Sequence, residues 1–335
     1  MKKLFIKIIF LSIPVLVLTS MYFYLDPFKV LYKYESFYRS GVPSYVSLNN
    51  DYVSTQTFLN NSTKYKYDAF IFGNSRSIFY EIDTWEKYIK TDNCFHFDAS
   101  GETLLGIKRK ISFLNRNHSK ISHALIFLDY STLSQTEEKK GHLFISHPIL
   151  SNQNWFSFQL AYFKTFFSPK FLITYLDFTF SHKVKDYMKE GHLLDDDPFD
   201  YTLKYNEMRF GKFEKLIKDN PLVYYDQKKM SLFFARDTIQ KYSDPIIHKT
   251  QYKMLSEISN ILKNNNTKYK IIINPLYDQM KLNDNDIKLL KNIFGTKNVF
   301  DFSGINFITN DYHNYYETSH YRPHIADFIM KEIYK

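Results

Sequence analysis

Cysteine is almost missing: Cys94 is the only one in 335 residues. The chain therefore forms no disulfide within itself, no cysteine-based metal site and no paired-thiol redox motif. Glycine and proline are scarce, at 9 and 10, which excludes collagen-like and low-complexity architectures. No fixed-period repeat is visible, so a solenoid is excluded too. No helix-turn-helix, zinc-finger or RNA-binding signature is present, and no nucleic-acid partner is expected. A basic block is also lacking. The formal charge is +9, but Lys and Arg are interspersed along the whole length. A composition rich in Lys, Asn, Ile, Phe and Tyr accounts for that excess, with an anionic lipid or envelope polymer as the lesser alternative.

Aromatic residues are what the chain has in plenty, 32 Phe and 28 Tyr among its 19% aromatics. Its length suits one large α/β domain with an insertion. At the start, Lys2, Lys3 and Lys7 precede an uncharged run at 8–25, and about 18 such residues just span a bilayer. The run ends Met21-Tyr22-Phe23-Tyr24-Leu25-Asp26-Pro27, without the small residues of a cleavage site. Residues 1–7 are therefore expected in the cytoplasm and 8–25 as a retained transmembrane signal anchor, with aromatics at the far interface. Everything after Asp26 then lies outside the cytoplasm, and the protein is expected at the cell membrane as a single-pass protein. Residues 26–66 read as a juxtamembrane connector that begins to pack on the domain.

Five short apolar runs, at 67–72, 94–97, 124–128, 269–273 and, more weakly, 299–302, have the length and content of strands buried on both faces. Between and after them, 103–115, 250–262, 284–294 and 322–334 show helical spacing. Strands separated by long connections predict a mostly parallel sheet in a three-layer α/β/α sandwich over 67–335, of flavodoxin-like type. Reactive groups in such sheets collect beyond the carboxyl ends of the strands. The interruption at about 132–243 reads as a helical insertion forming a cap. Its rings at 155–180 are expected to pack against the sheet or one another, with an aromatic substrate groove or a membrane-resting surface as the alternative.

The chemistry-bearing residues sit at two distant points. Ser75 lies in Phe72-Gly73-Asn74-Ser75-Arg76-Ser77, where a buried strand ends on a sharp turn and a helix start favours a developing oxyanion. Far downstream comes Tyr316-Glu317-Thr318-Ser319-His320-Tyr321. A helix-like turn would place Glu317 and His320 on one side, so that the carboxylate fixes the imidazole tautomer.

This pairing of a strand-turn serine with an acid-x-x-His before the last helix resembles the SGNH (GDSL-like) hydrolase family, from residue 67 to the C-terminus apart from the insertion. The resemblance implies Ser75 as nucleophile, His320 as general base and Glu317 in the place usually held by Asp. It also implies that Gly101, in Asp98-Ala99-Ser100-Gly101-Glu102, gives a backbone amide to the oxyanion. The family's third block, Gly-x-Asn-Asp, supplies a donating asparagine side chain. Here the third strand ends Leu128-Asp129-Tyr130-Ser131, and an ionised Asp129 cannot donate; Asn274 and Asn74 are the alternative donors. With its anchor and insertion the chain is similar to SGNH-like proteins that act on cell-envelope glycans. That implies an esterase or O-acyltransferase working on acyl esters of cell-envelope polysaccharide, without cofactor or metal. Its partners would be the membrane, an acylated glycan or acyl donor, and, as a further option, a membrane-bound acyltransferase.

The rival reading is a catalytically inactive envelope protein that keeps the fold and binds glycan or a membrane partner. A zinc site from His313, Glu317, His320 and His324 is disfavoured, because Pro323 starts a helix between the last two histidines. Asp195-Asp196-Asp197 beside His192 reads as a solvated loop rather than a calcium site.

Overall fold

The computed structural model describes residues 2–335, and the side chains at 2, 3, 5, 6, 8, 9 and 11 lie outside the described residues. Alternation within the first central strand builds two core layers at once. In β1 (Ala69–Phe72) all four side chains are buried; Phe70 and Phe72 enter one cluster and Ala69 and Ile71 the other. Such double burial is the condition of a parallel sheet covered on both sides. The other central strands are β2 (Cys94–His96), β3 (His123–Leu128), β4 (Lys268–Ile273) and β5 (Val299–Asp301). They pair in parallel in the order β2-β1-β3-β4-β5. The register sets Ala69 against Cys94 and His123, and Ile273 against Asp301. This doubly wound order reverses at β1 and β3, where ligands bind in open sheets.

The helices are α1 (Lys2–Leu25), α2 (Asn50–Tyr65), α3 (Ile82–Ile89), α4 (Leu104–Arg116), α5 (Trp155–Phe166), α6 (Pro169–Ser181), α7 (Lys249–Asn264), α8 (Asp284–Phe294) and α9 (Pro323–Ile333), with a further helix at Gly211–Asp219 in the insertion and shorter turns besides. On one side of the sheet pack α2, α4, α7 and α8, through Phe58, Ile107, Ile258 and Leu290. On the other lie α3 and α9, through Trp85, Ile325 and Ile329, together with Ile217, Tyr224 and Tyr225 of the insertion. The expected three layers are present.

The connector, read as beginning to pack on the domain, contains a helix and buried side chains. Its second half is α2, whose cap Asn49 accepts from the amides of Asp51 and Tyr52. Polar residues interleaved with Tyr52, Val53 and Phe58 blur the helical period, although these three are buried. The first half is organised by Asp26, whose buried carboxylate accepts from the amides of Val30 and Leu31 at 3.0 and 2.9 Å.

The insertion's rings do pack on one another: Phe158, Tyr162, Phe166, Phe171 and Tyr175 form a third cluster with Tyr22, Phe28 and Phe37 of the N-terminal segment. The insertion is not wholly helical. Leu194–Asp195 pairs antiparallel with Tyr45–Val46, and Asp200–Thr202 with Glu207–Arg209. Strands of two or three residues are too short to leave a period of two in a sequence. Helix α1 covers the expected anchor, and among the described residues no helix is long and apolar enough to cross a membrane. The anchor reading rests in part on Ile8, Ile9 and Leu11, whose side chains lie outside the described residues.

Candidate functional site

The serine turn is tight because glycine begins it. A Cβ on Gly73 would stand 2.8 Å from the Phe127 Cβ and 3.0 Å from the Ser77 Cβ, so only glycine lets the turn lie against β3. Asn74 shapes the next step: its Oδ1 accepts from the Arg76 amide at 3.1 Å and its carbonyl from the Ser77 amide at 2.9 Å. Ser75 is thereby left half-buried at the carboxyl end of β1.

The imidazole arrives from the far end of the chain. Tyr315–Glu317 and His320–Tyr321 form an antiparallel pair in which Glu317 stands opposite His320. The two residues thus meet across a two-residue hairpin, not along a helical turn as expected. Tyr315, Tyr316 and Tyr321 are buried, and aromatic side chains packed on both faces favour strand geometry here. His320 Nε2 lies 2.8 Å from Ser75 Oγ, and Nδ1 contacts Glu317 Oε1. The Ser319 amide donates to Glu317 Oε2 at 2.7 Å. Burial pushes the Glu317 carboxyl up, but the hydrogen bond and charge of His320 outweigh it and hold it below the usual carboxylate range. An ionised Glu317 assigns the ring proton to Nδ1, which frees Nε2 to accept the serine hydroxyl. Ser75, His320 and Glu317, named from the sequence, are brought together.

The oxyanion candidates divide. The Ala99 amide donates to the Gly73 carbonyl at 3.2 Å, which draws the loop carrying Gly101 against the serine turn. Gly101 has a φ of +58°, and Lys139 of the insertion donates to its carbonyl at 2.7 Å. The backbone N–H groups of Ser75 and Gly101 make no hydrogen bond among the described residues. Asn74 and Asn274 use their side-chain amides otherwise. Asn74 Nδ2 donates to Asp129 Oδ2 at 2.9 Å and Thr132 Oγ1 at 3.1 Å, and Asn274 Nδ2 donates to Asp129 Oδ2 at 3.1 Å.

Asp129 is thus a buried anchor rather than a failed donor. It also accepts from Arg76 Nη1 at 2.9 Å, Ser131 Oγ at 2.6 Å and the Thr132 amide at 2.9 Å. Burial pushes its carboxyl up, but Arg76 and these hydrogen bonds hold it below the ordinary aspartate value. Arg76 and the anchoring role of Asp129 escape a reading of the sequence. The available signal is a charged residue at the end of an apolar strand, whose burial demands a partner.

Behind the turn, Ser77 Oγ lies 3.0 Å from Asp98 Oδ2, which His96 Nδ1 meets at 3.0 Å. The histidines weighed for zinc are engaged separately: His324 Nε2 meets Asn314 Oδ1 at 2.9 Å and His313 Nδ1 meets Asp311 Oδ1 at 2.8 Å. Asp195, Asp196 and Asp197 approach within 4.8 Å of one another, and Lys189 pairs with Asp196. No family model and no curated protein matches this chain.

Proposed function

We propose that this protein is a serine-dependent esterase or O-acyltransferase of SGNH-like type, working on acyl esters of cell-envelope polysaccharide. The observation that carries the reading is the 2.8 Å approach of His320 Nε2 to Ser75 Oγ with Glu317 on the opposite ring nitrogen. In this mechanism Ser75 Oγ attacks the ester carbonyl carbon while its proton passes to His320 Nε2. Charge developing on the carbonyl oxygen is taken by the Ser75 and Gly101 amides. His320 then returns the proton to the departing alkoxide, leaving the acyl group on Ser75. Water or a sugar hydroxyl attacks that acyl-enzyme, giving its proton to His320 and releasing the serine. In this reading the N-terminal helix holds the chain in the cell membrane with the domain outside the cytoplasm, where an acylated glycan or another acyl donor is the substrate and a membrane-bound acyltransferase is a further partner.

Labelling of the full chain with a fluorophosphonate tests the chemistry. Wild type is expected to react, and Ser75→Ala and His320→Ala to lose labelling while remaining folded. A folded wild type that fails to label overturns the catalytic reading in favour of a glycan-binding envelope protein.

A further inference from the structure

At the carboxyl ends of β3, β4 and β5 opens a cavity of about 310 Å³. That lies at the lower end of small-ligand sites, ~300–1,000 Å³. Its floor includes the buried Ile273 and Leu282, and its rim carries Tyr130, Tyr242, Asp244 and Asp278. Ser75 and His320 do not line it. Asp129 is the shared wall: it borders the cavity and holds Asn74 and Arg76, which flank Ser75.

Three of the four rim groups are unspent; at Asp278, Oδ1 accepts from the Met280 amide at 2.9 Å and Oδ2 has no partner among the described residues. Among the described residues, the Asp244 carboxylate and the phenols of Tyr130 and Tyr242 make no hydrogen bond or ion pair. The two rings are 39% and 51% exposed. Among the described residues no Lys, Arg or His lines the cavity, although the whole chain carries +9. Lys281, between the lining residues Met280 and Leu282, turns away to Asp301 Oδ2 at 3.1 Å. A cavity edged by two exposed carboxylates without a compensating cation repels phosphate, sulfate and uronate groups. Flat amphipathic rings beside carboxylate acceptors suit a ligand with an apolar C–H face and many hydroxyl donors.

We propose that this cavity binds an uncharged glycosyl unit, stacked on Tyr130 and Tyr242 with its hydroxyls donating to Asp244 and Asp278. The inference deepens the esterase or acyltransferase reading, and rests on it for the role of the bound sugar as the part of the substrate seated beside Ser75.

Saturation-transfer NMR on the full chain in detergent micelles tests it, with triacetylchitotriose as the uncharged probe and trigalacturonate as the anionic one. Wild type and Ser75→Ala are expected to bind triacetylchitotriose equally. Tyr242→Ala and Asp244→Asn should each weaken binding about tenfold. Trigalacturonate should bind only when Asp244→Lys reverses the rim charge. The proposal is overturned if triacetylchitotriose does not bind, if the rim variants bind it as wild type does, or if wild type takes trigalacturonate equally well. Sugar binding without fluorophosphonate labelling removes only the catalytic reading, and labelling without sugar binding removes only this site.

Discussion

Arg76 is bonded to Asp129 Oδ2 through Nη1 at 2.9 Å and to the Ser319 carbonyl through Nε at 2.8 Å. Because Arg76 follows Ser75 and Ser319 precedes His320, this one side chain straps the hydroxyl-bearing turn to the imidazole-bearing hairpin. The two halves of the site are 245 positions apart in the chain. Holding them in register is the main geometric problem the fold has to solve.

Arg76→Ala should therefore loosen the Ser75–His320 contact without touching either residue. A misplacement of this kind costs about 100-fold in rate, and the same loss is expected in the fluorophosphonate labelling rate. Arg76→Lys should recover little, because an ammonium cannot make the two divergent contacts of a guanidinium. A labelling rate unchanged in Arg76→Ala would show that the strap is dispensable.

Asp129→Asn tests the anchor at the other end of the strap. The substitution keeps the shape but replaces one accepting oxygen by a donor, setting an amide against the donors Asn74, Asn274 and Arg76. A buried polar mismatch of this kind costs about 1–3 kcal/mol, measurable by urea unfolding. The pH dependence has a definite sign. The folded carboxyl titrates below its ordinary value, so its stabilisation is present above the unfolded aspartate pKa of about 3.9 and is lost as pH falls through the folded value. Wild type should lose stability over that acid range more steeply than Asp129→Asn.

The difference between Ser75 and Asp129 shows what the sequence makes legible. A serine after Gly73 at the end of a buried strand, and an acid three residues before a histidine, are local patterns, and the five central strands are continuous apolar runs. The strands follow from spacing; the joining of serine and histidine into one site rests on the resemblance. Arg76 meets Asp129 across 53 positions and Ser319 across 243, and Lys110 reaches back to Asp51 in another helix; no local period encodes such pairings. The Glu317–His320 hairpin was hidden for a related reason: a separation of three fits a helical turn and a tight hairpin alike, and buried tyrosines on either side decide between them.

His96 gives the opposite pH response. Burial lowers the affinity of its ring for a proton, but the hydrogen bond and charge of Asp98, with Glu207 nearby, outweigh burial and raise its pKa above the ordinary value. Its stabilisation is fully present below the unfolded histidine pKa of about 6.5 and is lost as pH rises through the folded value. Wild-type Tm should therefore fall as pH rises above about 6.5, and His96→Gln should flatten that fall. An identical slope in the two proteins would mean that His96 binds no extra proton on folding. Asp98 also touches Ser77 in the serine turn, so labelling followed over the same range reports whether the loss reaches the site.

Lys110 carries the largest expected stability loss. It is fully buried, with Nζ 2.9 Å from Asp51 Oδ1 and 2.6 Å from Glu102 Oε2, and it joins α4 to α2 and to the loop of Gly101. Burial pulls its ammonium toward neutrality, but the two acids outweigh that and keep it charged. Glu102 is raised by burial despite the lysine, as expected where two carboxyls share one cation. Lys110→Met leaves both acids buried without a counter-ion, and removing one partner of a buried ion pair costs about 3–5 kcal/mol. Urea unfolding should show that loss, and Lys110→Met combined with Glu102→Gln should recover part of it. The combination separates unpaired charge from lost packing, because only the first is relieved when Glu102 is neutralised. Recovery of stability without recovery of Ser75 labelling would then identify Glu102 as the residue that fixes the Gly101 amide in place.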